Sequence, residues 1–85
     1  MADLRENTAL GVFELDEGGA TAFARVRIVD GDMWIDHVEV PTALRGAGTA
    51  GRLMQALVKE AQARHLRPVP VCSYAAAWLR RNTKG

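Results

Sequence analysis

Apolar positions in the first half of the chain recur with the short period of β-strands. Three apolar-rich segments are separated by turn signals rich in glycine and aspartate, and they span residues 8–15, 20–29 and 33–40. The more apolar face of the second segment carries Ala22, Ala24, Val26 and Ile28. Pro41 ends the third segment because proline cannot donate to a sheet ladder. The pattern therefore predicts an antiparallel meander of three strands.

From Gly48 onward the period changes to that of an amphipathic α-helix. Its apolar face carries Ala50, Leu53, Met54, Leu57, Val58 and Ala61. The helix is expected to end near His65, since Pro68 disfavours helical geometry in the residue before it. These spacings make this helix the core-facing element of the second half.

A short strand and a last helix complete the predicted fold. Residues 69–72 form an apolar run in which Pro70 indicates an edge or splayed strand. Ser73 is a suitable N-cap for a helix over residues 74–81. The predicted class is α/β of the mixed α+β kind: a three-stranded meander, a long helix, a short strand parallel to the third strand and a C-terminal helix.

Composition narrows the classes of function. The 85 residues, 48% hydrophobic and 25% charged, predict one globular domain over residues 1–85. The net charge of +1 provides no basic field for nucleic acid. The charged N-terminal segment and the absence of a long apolar run predict a cytoplasmic protein without a membrane segment. Cys72 is the single cysteine, so neither an intramolecular disulfide nor a metal site is expected.

A small-residue loop between the third strand and the long helix is the strongest candidate for a binding site. The free N–H groups of a helix N-terminus attract anions, and glycine lets a diphosphate approach the backbone. Arg45 adds a charged donor; the alternative is that the glycines only close a tight turn. Residues 46–51 also match G-x-G-x-x-G, but no carboxylate lies about 20 residues further on for a ribose.

The loop Arg45-Gly46-Ala47-Gly48-Thr49-Ala50 resembles the Q/R-x-x-G-x-G/A motif of the GNAT acetyltransferases. The resemblance implies that these six residues bind the pyrophosphate of acetyl-CoA. It also implies that the backbone of Val38, Glu39 and Val40 pairs with the pantetheine arm.

The flanking stretches His37–Pro41 and Pro70–Tyr74 are similar to those of the small, single-domain YjdJ-like GNAT family, and this likeness covers nearly the whole chain. It implies an N-acetyltransferase that moves an acetyl group from acetyl-CoA to an amine acceptor. Ser73 and Asn82 become further candidates for cofactor contact. The two N-terminal helices of larger GNATs have no counterpart in this family, so the acceptor site is expected to be open or borrowed.

Few side chains suit the chemistry of acetyl transfer, which needs a base and a proton donor. His37 and Glu39 share one strand face and are candidate bases; the alternative is a solvated polar pair. Cys72 precedes a helix, where thiolates are stabilised, so it is a candidate acyl carrier or else a buried apolar residue. Tyr74 is a candidate proton donor for the CoA thiolate, or a packing residue.

Two other functions stay open at this point. One is a non-catalytic CoA-binding or protein-interaction module, because the acceptor-side helices are missing. The other is a dinucleotide-binding fragment, which would prefer NAD to acetyl-CoA. The sequence identifies neither the acceptor nor the oligomeric state.

Overall fold

The computed structural model describes residues 4–82 as a five-stranded sheet with two α-helices. The elements are β1 (Leu4–Asn7), β2 (Val12–Glu17), β3 (Ala20–Val29), β4 (Asp32–Glu39), a short 3₁₀ helix (Thr42–Leu44), α1 (Thr49–Ala63), β5 (Arg67–Pro70) and α2 (Ser73–Asn82). The mixed α+β class predicted from the sequence is confirmed. That all 85 residues form one domain stays a prediction.

The sequence predicts three antiparallel strands, whereas the meander of the structure has four. The sheet order is β1-β2-β3-β4-β5, and β1 pairs antiparallel with β2. Leu4 is the only apolar residue of β1, so no alternation marks it. Arg5 instead secures it by bonding the carboxylates of Glu14 and Asp16 across the strands. The strand predicted over residues 8–15 also began too early, because residues 8–11 form the β1–β2 turn.

A β-bulge interrupts the pairing of β3 with β4. Arg25 lies opposite His37, whereas the next residue, Val26, lies opposite Ile35, so Asp36 is an extra residue on β4. The bulge shifts the side-chain alternation of β4 by one position. As a result Met33 and Ile35 before it, and Val38 and Val40 after it, all contact the same core.

Both helices pack on one face of the sheet. The buried cluster comprises Phe13, Leu15, Ala22, Ala24, Met33, Ile35, Leu53, Met54, Leu57, Ala61 and Ala75. Ile28, predicted to face the core, is 44% exposed, because β3 extends past β2, whose pairing stops at Val12 and Arg25. Of the predicted helix face, Ala50 and Val58 are only partly buried, while Thr49 is fully buried.

The last two elements begin earlier than predicted. β5 spans Arg67–Pro70 rather than residues 69–72 and runs parallel to β4. It is an edge strand, which explains how it accommodates two prolines. α2 begins at Ser73, so the predicted cap at Ser73 is wrong. Cys72 is the cap: its carbonyl accepts from the Ala76 N–H at 3.0 Å and its Sγ from the Ala75 N–H at 3.3 Å.

Candidate functional site

β4 and β5 separate at Ile35, and this separation opens a cleft. The last pair is Ile35 with Pro70, and the N–H groups of Val71 and Cys72 both donate to the Ile35 carbonyl, at 3.0 and 3.2 Å. Beyond that point β4 continues to Glu39 while the other chain turns into α2. The edge of β4 that faces β5 therefore has no strand partner from Asp36 onward, as far as residues 4–82 show.

The separation contains a cavity of about 530 Å³ lined by His37, Val38, Glu39, Val40, Arg45, Ala50 and Tyr74. A second cavity of about 280 Å³ adjoins it at the glycine loop and is lined by Val40, Leu44, Arg45, Gly46, Gly48, Thr49, Ala50, Gly51 and Tyr74. Four residues line both cavities, so the two are parts of one elongated cleft. We call it the β4–β5 cleft.

The loop end of this cleft is built from the N-terminus of α1. Gly46 and Gly48 both have a φ of 81°, a left-handed conformation that favours glycine. The first hydrogen bond of the helix runs from the Arg52 N–H to the Gly48 carbonyl, and no side chain caps the helix. The N–H groups of the three residues before Arg52 are therefore left for a ligand or solvent. They and the helix dipole favour an anion.

Arg45 is exposed at the mouth of the same end and lines both cavities. Within residues 4–82 its guanidinium makes no ion pair or side-chain hydrogen bond, unlike that of Arg52. Its charge is therefore available to a ligand in the cleft.

A clamp behind the loop was not predicted from the sequence. The Arg52 guanidinium donates to Glu17 through Nε at 2.6 Å and Nη2 at 2.8 Å, and through Nη2 to the Ala47 carbonyl at 2.7 Å. The Thr49 hydroxyl also donates to Glu17, at 2.6 Å. These hydrogen bonds, that from Arg52 first, lower the pKa of Glu17 to about 2. The sequence predicts that Arg52 lies on α1 one turn after Gly48. It does not predict that Glu17 is the partner of Arg52.

His37 and Glu39 lie together at the other end of the cleft. The His37 Nε2 and Glu39 Oε1 atoms are 3.1 Å apart, and the two side chains are 53% and 58% exposed. The Phe23 ring lies beside the imidazole, with 6.2 Å between centroids. The predicted pair therefore exists, and it borders the cleft rather than open solvent alone.

Of the remaining predicted site residues, some line the cleft and others do not. Tyr74 lines both cavities of the cleft and also packs against the core. Cys72 is half-buried, packs against the core and lines neither cavity, and Ser73 and the loop residue Ala47 are exposed without lining the cleft. Asn82 lies at the end of α2, where its amide donates to the Trp78 carbonyl at 2.8 Å.

Two kinds of feature are absent from residues 4–82. No helix there is long and apolar enough to cross a membrane. No group of three or more histidine, cysteine or acidic residues there is arranged to hold a metal ion.

The fold and the loop define a class of protein, and comparison of the sequence with family models identifies it. Residues 12–84 match the model of the GCN5-related N-acetyl-transferases. The chain belongs to this family, whose members transfer an acetyl group from acetyl-CoA to an amine. The comparison does not test the finer resemblance to the YjdJ-like group.

A solved structure supports the same assignment. The chain is similar to a GCN5-like candidate N-acetyltransferase from Staphylococcus aureus, solved by NMR, with 26% sequence identity and a TM-score of 0.64. The similarity covers 93% of this chain and 78% of the other. No curated protein matches this chain significantly. The predicted GNAT-like fold and acetyltransferase class are confirmed.

Proposed function

We propose that this chain binds acetyl-CoA in the β4–β5 cleft and transfers its acetyl group directly to an amine acceptor. The observation that carries the proposal is the continuity of the cleft. One end is an uncapped helix N-terminus beside Arg45, and the other end holds the His37–Glu39 pair. A long ligand with an anionic and a reactive end fits such a site.

The residues at the loop fit a diphosphate. The N–H groups of Thr49, Ala50 and Gly51 and the Arg45 guanidinium supply donors, and the lack of side chains at Gly46 and Gly48 leaves room for the phosphates. The unpaired edge of β4 offers backbone groups to an amide-containing arm, as an added strand would use them. Val38 and Val40 turn their side chains to the core, which leaves this edge accessible.

The opposite end supplies proton transfer. Acetyl-CoA brings an activated thioester; as the amine attacks, a C–N bond forms and the C–S bond breaks. Glu39, hydrogen-bonded to His37, accepts the proton that the amine loses. The Tyr74 hydroxyl, on the α2 side of the cleft, donates a proton to the departing thiolate. Each role needs a side chain that borders the cleft, and these three do.

The alternative route through Cys72 has weaker support. The Cys72 sulfur accepts a hydrogen bond from the Ala75 N–H and thereby caps α2. Cys72 does not line the cleft. An acyl carrier has to reach both thioester and amine. Cys72 would have to leave its capping position to do so, and we therefore propose direct transfer.

Two measurements test the proposal. Acetyl-CoA at saturating concentration should raise the thermal midpoint of the protein, whereas NAD should not. Incubation with acetyl-CoA and a panel of primary amines should then release CoA thiol and form the acetylated amine. No shift with acetyl-CoA would refute the binding site. A shift without turnover on any amine would instead favour the non-catalytic CoA-binding module.

A further inference from the structure

The face of the sheet that the helices leave uncovered holds a third cavity. Its volume is about 370 Å³, and its lining residues are Leu10, Val12, Glu14, Thr21, Phe23 and Arg25. We call it the outer groove. Sites for small molecules fall in the same range, about 300 to 1,000 Å³. Within residues 4–82 both helices pack on the opposite face, so the groove is open to solvent.

Sheet register joins the outer groove to the His37–Glu39 pair. Arg25 lies opposite Val12 on one side and opposite His37 on the other; Phe23 lies opposite Glu39 in the same way. Residues directly opposite each other share a face, and neighbouring strands are about 4.8 Å apart. The groove thus reaches the proposed base within about one strand spacing. An acceptor lying in it would place its amine where the reaction needs it.

Charge in the groove is distributed unevenly. Among the described residues of this face, Arg5 bonds Glu14 and Asp16, and Arg27 bonds Asp36 at 2.6 and 2.9 Å. Arg25 forms no ion pair or side-chain hydrogen bond within residues 4–82. Unlike the guanidinium groups of Arg5 and Arg27, that of Arg25 is therefore available to a ligand. A carboxylate is the ligand that a guanidinium binds best.

Besides Arg25 and the polar residues Glu14 and Thr21, the groove has an apolar surface. Phe23 and Val12 form its floor, and Leu10, 63% exposed in the β1–β2 turn, forms one wall. A ligand that covers an exposed leucine removes apolar surface from water, and this favours binding. The groove therefore combines an apolar surface, a cation and, one strand away, a carboxylate–imidazole pair.

From this combination we infer that the acceptor is a small amino acid-like amine with a carboxylate and an apolar side chain. The amine lies at Glu39 and His37, the carboxylate at Arg25, and the side chain on Phe23 and Leu10. The inference rests on the proposed function, since it names the acceptor of that reaction. It makes Arg25 a specificity-determining residue rather than a catalytic one.

Direct binding tests this inference without any cofactor. Leucine, titrated into the protein alone, should shift the backbone NMR signals of Val12, Phe23 and Arg25. Leucinamide, which keeps the amine and side chain but lacks the carboxylate, should bind about fivefold more weakly or worse, as should glycine. Equal binding of leucine and leucinamide, or no binding of leucine, would overturn the inference.

A variant separates Arg25 from general charge effects. Arg25→Gln should weaken leucine binding about fivefold or more and leave leucinamide binding unchanged. Arg67→Gln is the matched control, because it removes the same charge from an exposed arginine that pairs with Asp32 outside the groove. If both variants weaken leucine equally, Arg25 does not bind the carboxylate.

Turnover distinguishes failure of this inference from failure of the proposed function. With acetyl-CoA present, the ratio of kcat/KM for leucine to that for leucinamide should fall in Arg25→Gln, and comparing variants cancels the acceptors' own reactivity. Acetylation of other amines with no preference for leucine would overturn only the acceptor. If leucine binds but no acetyl group is transferred to any amine, the proposed acetyl transfer is refuted and the groove remains a ligand site.

Discussion

Arg52 links the end of β2 to the glycine loop by donating hydrogen bonds to both Glu17 and the Ala47 carbonyl. Nη2 alone lies 2.8 Å from Glu17 Oε1 and 2.7 Å from the Ala47 oxygen. Two segments distant in sequence are thereby fixed against the N-terminus of α1. Such a clamp orders the loop before a ligand arrives, which reduces the entropy that binding costs.

Removing the clamp should therefore weaken cofactor binding more than folding. We expect Arg52→Ala to lower the affinity for acetyl-CoA about tenfold and to change the free energy of unfolding only slightly, because ion pairs of exposed side chains contribute little to stability. Isothermal titration and urea unfolding measure the two quantities. Arg64→Ala is a suitable control, since Arg64 bonds Glu6 and Glu60 far from the loop.

A second variant separates the clamp from simple charge. Glu17→Gln removes a negative charge near the proposed diphosphate, so a purely electrostatic effect would tighten acetyl-CoA binding. If the clamp orders the loop, the same change should weaken binding instead. Tighter binding by Glu17→Gln would thus contradict the ordering role of Arg52.

Acid should release the clamp. The hydrogen bonds from Arg52 and Thr49 lower the pKa of Glu17 from its ordinary 4.5 to about 2 in the folded protein. A lowered carboxyl pKa stabilises the fold fully above pH 4.5, and this stabilisation is lost as the pH falls towards 2. We expect the difference in urea midpoint between wild type and Glu17→Gln to shrink across this interval. A difference that is constant from pH 6 to pH 2.5 would contradict the assignment.

The two glycines of the loop form a matched pair. Alanine at either position adopts an unfavourable φ and should cost about 1 to 3 kcal/mol of stability. A Cβ at Gly46 meets nothing within 4 Å, whereas one at Gly48 lies 3.1 Å from Arg52 Nη1. Gly48→Ala should therefore lower acetyl-CoA affinity more than Gly46→Ala, at similar losses of stability. Equal affinities would show that Arg52 adapts without effect on the ligand.

Arg45 should act on the diphosphate alone. We expect Arg45→Gln to weaken acetyl-CoA about tenfold and to leave the urea midpoint unchanged, since this guanidinium has no partner within residues 4–82. S-acetylpantetheine, which lacks the diphosphate, provides the control ligand. If its binding falls as much as that of acetyl-CoA, Arg45 supports the shape of the cleft and not the anion.

Glu39 and Cys72 give opposite expectations for the chemical step. Glu39→Gln should lower kcat about a hundredfold or more, with little change in the KM for acetyl-CoA. Cys72→Ser keeps a cap acceptor for α2 and should retain most of the activity. Intact-mass analysis completes the test. An acetyl adduct on Cys72 that forms and decays at the rate of turnover would establish the covalent route instead.

The sequence predicted those parts of the fold that local chemistry determines. Periodicity identified α1 and three of the strands, and Pro70 correctly indicated that β5 lies at an edge. The loop motif placed Arg45 and both glycines in one cleft with Val38 and Val40. All of these depend on residues near one another in the chain.

What the sequence did not predict depends on partners far away in the chain. β1 carries one apolar residue and is held by Arg5 across to Glu14 and Asp16. The clamp joins Glu17 to Arg52, which looked like an ordinary residue of the solvent face. β5 starts two residues before its predicted start, because its position is set by pairing with β4. As a result Cys72, rather than Ser73, caps α2.

The extra residue on β4 determines which side chains the strand presents at the cleft. Were β3 and β4 to pair without it, Arg25 would face Asp36 and Ala24 would face His37, since every later position moves by one. His37 and Glu39 would then point into the hydrocarbon core, and Val38 and Val40 would point to water. A single inserted residue is thus sufficient to turn the strand's polar side from the interior to the reaction site.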